Sequence, residues 1–392
     1  MQHKEKRRKK AICAGHICLD ITPAFHNRKY HEMGEVLIPG RLIEMDEASV
    51  SLGGCVSNTG IGMKLLGCEV EVLAKIGEDA FGEIVQSELR KYGISVEMMI
   101  QSKRGNTSYS VILAPPEIDR IILHHTGINH EFILDDLNME KIKGADLFHF
   151  GYPSLMQSMY QKNGKELIRL VQAVHRMGTA VSVDMAMFDE DTEAGRQDWN
   201  MILKKALPYI DFFLPSAEEL CVMLDRERYH EWVKRAGGRD ITEILDIEMD
   251  IRPLADLLLS YGAKVILIKC GALGIYFRTA SYDRILTLSG ILKEESVGEW
   301  ADREIFESSY QVHKVVSGTG AGDTTIAAFL TSVLQGYSCE ECLHFAAAAG
   351  AVCVGTYDAL SGLMPLSELK KKIDSGWEKN NQKRKEKEVV SC

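Results

Sequence analysis

The chain has 392 residues, 45% hydrophobic and 26% charged, an ordinary globular composition with material for a large core. Its formal net charge of −10 gives no cationic footprint for nucleic acid over the body of the protein. No apolar run approaches the ~20 residues that span a bilayer, so no membrane partner is expected.

Residues 1–10 are basic and precede an apolar run, Ala11 to Leu19, in the manner of a signal peptide. His16 interrupts the run, Asp20 ends it, and no small-residue cleavage site follows. The sequence predicts a disordered basic arm over 1–10, then a first strand. The ten cysteines are scattered, several inside apolar stretches (Cys13, Cys18, Cys353), which suits buried thiols in a reducing cytoplasm. Cys339 and Cys342 form a lone C-x-x-C without a second pair, a pattern that argues against zinc and redox work.

Residues 24–50 are polar, with short alternating pieces at Val36 to Ile38 and Arg41 to Met45 around the Pro39-Gly40 turn, a small antiparallel excursion. Gly53-Gly54 opens a helix to about Leu66. Val70 to Ile76 is a strand, and Asp79 caps a helix with Phe81, Ile84, Val85, Leu89 and Tyr92 on one face. Thr107 to Leu113 and Arg120 to His124 are strands of a second excursion. From residue 145 strands alternate with helices: Asp146 to Phe150, 159–177, Thr179 to Asp184, 197–206, Ile210 to Leu214, Ala217 to Leu224. A polar, partly helical insertion over 225–250 precedes a helix from Asp250 to Tyr261 and a strand from Lys264 to Lys269. Gly274 to Arg278 and Arg284 to Leu288 are expected as antiparallel strands, and 289–309 as a polar, acidic insertion. Such alternation argues a mainly parallel sheet covered on both faces. Ligands then sit beyond the carboxyl ends of the strands, where Asp20 and Asp184 fall.

The stretch that carries chemistry is Gly318-Thr319-Gly320-Ala321-Gly322-Asp323. A strand over Tyr310 to Val316 is expected to enter it, and a buried helix over Thr324 to Leu334 to leave it. The glycines let the backbone turn sharply and bare amide N–H groups at a helix N-terminus, which attract an anion, most often phosphate. This is no Walker A loop, since no G-K-[ST] follows. It is no dinucleotide fingerprint, since Asp323 stands at the third glycine position. The turn alone admits two readings of Asp323, a helix N-cap or a base facing a second substrate.

Taken with Gly53-Gly54 and Asn58, Thr319-Gly320-Ala321-Gly322-Asp323 resembles the ribokinase-like (PfkB) sugar and nucleoside kinases. Lys75-Ile76-Gly77-Glu78-Asp79-Ala80-Phe81-Gly82, Leu214-Pro215-Ser216-Ala217-Glu218-Glu219 and Gly271-Ala272-Leu273-Gly274 lie between as further landmarks. The resemblance runs from about residue 11 to 366. It implies a ribokinase-like three-layer α/β sandwich over 11–377, with a mainly parallel central sheet, a β-lid from about 24–50 and 105–126, and a charged tail over 378–392.

It also implies roles. Asp323 is the base that takes a proton from a sugar hydroxyl attacking the γ-phosphate of ATP, ionised at an ordinary carboxylate pKa of ~4. The amides of Gly320, Ala321 and Gly322 hold the developing charge. Asp20, Gly54 and Asn58 bind the sugar acceptor, with Asn129 a further contact. Glu219 helps place Mg²⁺ through water. Thr319, Gly271, Gly274 and Lys269 face ATP, although Lys269 equally reads as a strand-end lysine reaching solvent.

Three departures matter. Ser216 replaces the Asn of the family's N-x-x-E element. Ser317-Gly318 replace the Asp-Thr before the turn, which leaves K⁺ activation open. Cys55 stands where ribokinases carry Lys. The acceptor stays open between a free sugar, a nucleoside walled by Phe25, Tyr109 and Ile112, and a sugar phosphate met by Arg41, Lys103, Arg104 or Arg120. A homodimer through the lid is expected. The rival reading from another class is a non-catalytic sugar or nucleotide sensor.

Overall fold

A computed structural model describes residues 9–26, 31–116, 118, 120–288, 290–356 and 358–380. The expected arm over 1–10 falls mostly, and the expected tail over 378–392 largely, outside them. The strands are β1 (Lys10–Gly15), β2 (Cys18–Ala24), β3 (Asp46–Gly53), β4 (Glu69–Leu73), β5 (Lys75–Gly77), β6 (Ile100–Ser102), β7 (Tyr109–Leu113), β8 (Ile121–His125), β9 (Leu147–Gly151), β10 (Ala180–Asp184), β11 (Phe212–Phe213), β12 (Val265–Lys269), β13 (Gly274–Thr279) and β14 (Glu304–Ser308). Eight form the main sheet in the order β14-β13-β12-β11-β10-β9-β1-β4, and four form a second sheet, β3-β2-β7-β8. The main sheet is parallel from β12 to β4 and antiparallel at β13 and β14.

Side chains alternate across a strand, so a sheet covered on both faces feeds two cores. Ala11 and Cys13 of β1 enter one cluster, with Val265 and Leu267 of β12. Ile12, Ala14, Ile266 and Ile268 enter the other. The helices Cys55–Leu65, Ala321–Gln335 and Cys339–Cys353 cover the first face. Gln157–Arg176, Trp199–Ala206 and Arg252–Ser260 cover the second. The result is the three-layer α/β sandwich expected. No helix among the described residues is long and apolar enough to cross a membrane.

Three local expectations are corrected. Tyr310 to Val316 forms no strand: Tyr310 makes an isolated bridge to Lys379 and stacks on Trp377 at 4.7 Å, while Val315 is 64% exposed. That run crosses the surface beyond the sheet's edge strand. Arg284 to Leu288 lies instead in and after a helix, Tyr282–Leu286, which buries Ile285 and Leu288 at a helical spacing of three. The strand antiparallel to β13 comes from the stretch read as polar insertion, as β14. Within 24–50 the regular pieces are a helix, Met33–Val36, and β3. β3 is exposed over Asp46 to Ser51 and so carries no apolar alternation to detect.

Candidate functional site

β1 pairs with β4 on one side and β9 on the other, and the strands after β9 build away from β1. The order thus reverses between β1 and β9, and an open parallel sheet leaves a crevice at such a switch point. His16 follows β1 and Tyr152 follows β9, so both stand at its mouth. Asp184 ends β10 and Lys269 ends β12 on the same rim.

Asp323 lies in the first turn of the Ala321–Gln335 helix and is only 4% exposed. Gly320 precedes the helix at φ 75°, and a Cβ there would meet Ala359 Cβ at 2.2 Å. Only glycine serves this position. The helix leaves its first amides without intrahelical partners; Ala321 N–H reaches Gly318 O at 3.4 Å. The carboxylate accepts from Asn58 Nδ2 at 2.9 Å, from Tyr152 Oη at 2.8 Å to both oxygens, and from Thr59 Oγ1 at 3.4 Å. Three donors leave room at a carboxylate with about four acceptor positions. Burial pushes the Asp323 carboxyl above its usual range, against the pull of Asn58, Tyr152, Lys269 and Thr59. The ordinary pKa expected from sequence is therefore corrected upward by desolvation.

Asn58 and Thr59 come from the first turns of the Cys55–Leu65 helix. Gly54 caps that helix at φ 85°, and a Cβ there would stand 2.7 Å from His16 Nδ1. Asn58, expected on the acceptor, spends Nδ2 on Asp323. Tyr152 had no motif around it. Its φ of 63° and ψ of 40° make it a left-handed non-glycine residue, a conformation sequence does not announce.

Lys269 is largely covered, its side chain 13% exposed. Its Nζ lies 2.7 Å from Asp184 Oδ1, and a Cβ on Gly322 would sit 3.5 Å from Nζ. Burial works against the lysine's charge, but Asp184, Glu219 and Asp323 outweigh it and hold it protonated. Burial also pushes the Asp184 carboxyl well up, while Lys269 draws it down. Glu219 enters this cluster from the Ala217–Leu224 helix, whose N-cap Ser216 sits beside Lys269 in an isolated bridge. Ser216 Oγ accepts from Glu219 N at 3.2 Å, and Glu219 Oε2 from Ser216 N at 2.7 Å. The Asn-to-Ser departure thus yields a helix cap. These hard oxygens suit Mg²⁺, which binds through one or two carboxylates and keeps several waters.

On the opposite wall, Asp20 in β2 sits beside Gly53, where a Cβ would fall 2.2 Å from Oδ2. Cys18 Sγ donates to Asp20 Oδ1 at 3.3 Å, and burial raises this carboxyl too. His16 Nε2 is 3.3 Å from His124 Nε2, and His124 Nδ1 is 3.1 Å from Ser110 Oγ. Burial lowers His16 to about 3, so it faces the crevice neutral. Sequence reading missed both histidines. Asn129 is fully buried and donates to Ile17 O at 2.8 Å and Thr126 O at 3.1 Å, tying two segments together rather than presenting its amide. Tyr109 packs edge-on to Phe81 at 5.5 Å.

Thr319 and Ser317 meet Arg120, which arrives from the segment before β8. Gly271 and Gly274 form the turn after Lys269. A Cβ would strike Thr242 Oγ1 at 2.5 Å or Glu307 O at 2.1 Å, so packing alone accounts for both glycines. Cys339 and Cys342 are both buried.

The family described as pfkB family carbohydrate kinase matches residues 9–365. A relative from Archaeoglobus fulgidus, named an uncharacterized sugar kinase, is 25% identical over 303 residues, 77% of this chain and 98% of its own. A 5-dehydro-2-deoxygluconokinase from Clostridium perfringens is 22% identical over 377 residues, 95% of each chain. The Arabidopsis thaliana ribokinase complexed with ribose and ATP superposes with a TM-score of 0.68 at 21% identity, covering 93% of this chain and 98% of that one.

Proposed function

The chain belongs to the pfkB family of carbohydrate kinases, and we propose that it transfers the γ-phosphoryl group of ATP to a hydroxymethyl group of a small sugar. The observation that carries this reading is the buried Asp323 carboxylate at the helix N-terminus, held by Asn58 and Tyr152 with Lys269 alongside. Asp323 accepts the proton of the acceptor hydroxyl. The hydroxyl oxygen bonds to the γ-phosphorus as the bond from phosphorus to ADP breaks. The raised carboxyl is a stronger base than a solvated one, which favours the proton transfer. The amides of Gly320, Ala321 and Gly322 face the charge on the phosphoryl oxygens, and Lys269 adds a cation on the same side. Glu219 would hold Mg²⁺ through water, and the ion would neutralise phosphate charge.

Asp20, the Gly53-Gly54 backbone, Asn58 Oδ1, His16 and His124 line the acceptor side in this reading. The name of the Clostridium perfringens relative makes 5-dehydro-2-deoxygluconate the leading acceptor to test. The four-stranded sheet acts as the lid that excludes water. Its exposed Ile121, Ile122, Leu123 and Val50 support pairing of two copies through that sheet.

The test is an acceptor screen. The full chain is mixed with Mg·ATP and free sugars, keto-deoxy sugar acids, nucleosides and sugar phosphates, with ADP and phosphorylated product followed together. One class gives product, and Asp323→Asn slows it by about a hundred- to ten-thousandfold. No product from any class, with ATP binding intact, would leave the sensor reading.

A further inference from the structure

Three side chains that the proposed reaction does not use converge beneath the crevice: Cys13 in β1, Cys55 at the start of the Cys55–Leu65 helix, and His149 in β9. All are fully buried, and one donor atom of each lies within 4.8 Å of the others. Among the described residues no other group of three such donors converges. Cys55 Sγ is 3.2 Å from His149 Nε2, and His149 Nδ1 is 3.0 Å from Ser182 Oγ. With Nδ1–H donating to Ser182, Nε2 turns its lone pair toward Cys55. A hydrogen bond on the far ring nitrogen is what orients a ligating histidine. The backbone also keeps this space open: a Cβ on Gly151 would stand 1.8 Å from Cys55 Sγ.

We propose that Cys13, Cys55 and His149 form a binding site for a thiophilic divalent cation of the zinc class, separate from the Mg²⁺ of the reaction. Bonds of about 2.3 Å to sulfur and about 2.0 Å to nitrogen place tetrahedral ligand atoms about 3.5–3.8 Å apart, a small adjustment from the spacing seen. Two thiolates and one neutral imidazole exclude a hard cation such as Mg²⁺. Charge decides between soft cations. A divalent ion with two thiolates is neutral overall, which suits a dry position near Asp323 and Asp184; a monovalent ion would leave a further negative charge there. On binding, each thiol gives its proton to solvent, and the cation forms two bonds to sulfur and one to Nε2, with no change of oxidation state. Thr59 Oγ1 lies 3.9 Å from Cys55 Sγ. The bound ion would fasten the helix that carries Asn58 and Thr59 to the two strands flanking the switch point.

Cadmium is the probe. The reduced full chain is unfolded and refolded with or without Cd²⁺, desalted, and read by metal content, thiolate-to-cadmium absorption and Tm. One retained Cd²⁺ per chain, the absorption of two thiolates and a raised Tm are expected. Cys13→Ser and His149→Gln each lose the bound metal and the Tm gain, whereas Cys342→Ser keeps both. Co²⁺ added to the unaltered chain gives tetrahedral visible bands, a reading that needs no variant. Absence of retained cadmium and of those cobalt bands overturns the site, as does binding that survives both Cys13→Ser and His149→Gln. None of these readouts depends on the kinase reading, so the two fail separately.

Discussion

Tyr152 donates its phenolic hydrogen to Asp323, with Oη 2.8 Å from both carboxylate oxygens. It does so from a left-handed backbone, φ 63°, which costs a non-glycine residue about 1–2 kcal/mol. Strain of this kind persists where the surrounding structure holds a side chain to a task. The hydrogen bond lowers a carboxyl that burial raises.

Tyr152→Phe removes that donor. A hydrogen bond to a charged group is worth about 1.5–3 kcal/mol, and a pKa unit about 1.36 kcal/mol. The Asp323 carboxyl then rises further. A base acts only when ionised, so the acidic limb of the kcat/KM profile moves to higher pH, and the loss is greatest at low pH. A limb that stays in place would detach Tyr152 from the base.

Gly320→Ala tests the turn. The added methyl meets Ala359 Cβ at 2.2 Å and is strained at φ 75°. Phosphoryl transfer falls by about a hundredfold as the amides and Asp323 shift, on the scale of losing one charge-stabilising donor. Adding Ala359→Gly removes the clash but not the backbone strain, so it recovers activity only in part. Full activity in Gly320→Ala would show that the turn does not position the chemistry.

The alternating strands and helices from Asp146 to Lys269 were legible because each strand is buried on both faces and each helix on one. Asp323, Asn58 and Glu219, which the candidate site brings to one rim, stand in motifs that the sequence displays. The second sheet was blurred because β3 is exposed over most of its length, so no period marks it. The end of the Tyr282–Leu286 helix reads as a strand, and β14 as polar insertion, because short, mixed segments follow their neighbours' packing rather than their own pattern. Tyr152, His16 and His124 were invisible for another reason. His16 and Tyr152 meet where the strand order reverses between β1 and β9, and His124 reaches His16 from β8, so the three come together only in the fold.

Arg120 joins the second sheet to the glycine-rich turn through Thr319 and Ser317. The contact is exposed, so water weakens it and the fold does not depend on it. Arg120→Ala is expected to raise the KM for ATP by about two- to tenfold, the scale of one exposed hydrogen bond of about 0.5–1.5 kcal/mol, with Tm unchanged. Steady-state kinetics and a thermal melt check this. An unchanged KM would confine the contact to the ligand-free protein.

Lys269 and Asp184 form a buried pair, Nζ to Oδ1 2.7 Å, and the lysine also faces Gly322 of the glycine-rich turn. Two roles are mixed in it, and a pair of variants separates them. Lys269→Met leaves Asp184 buried without its cation, and breaking such a pair costs about 3–5 kcal/mol. Asp184 already has its carboxyl pushed up by burial, and loss of Lys269 pushes it higher. A folded-state pKa above the unfolded one costs stability as pH rises between the two. The Tm deficit of Lys269→Met therefore grows from acid toward neutral pH. In Asp184→Asn/Lys269→Met no charge is stranded, so the pH dependence disappears and much of the Tm returns. A phosphate contact does not return with it: the KM for ATP stays raised in both variants. If the double variant restores KM together with Tm, Lys269 serves the fold alone.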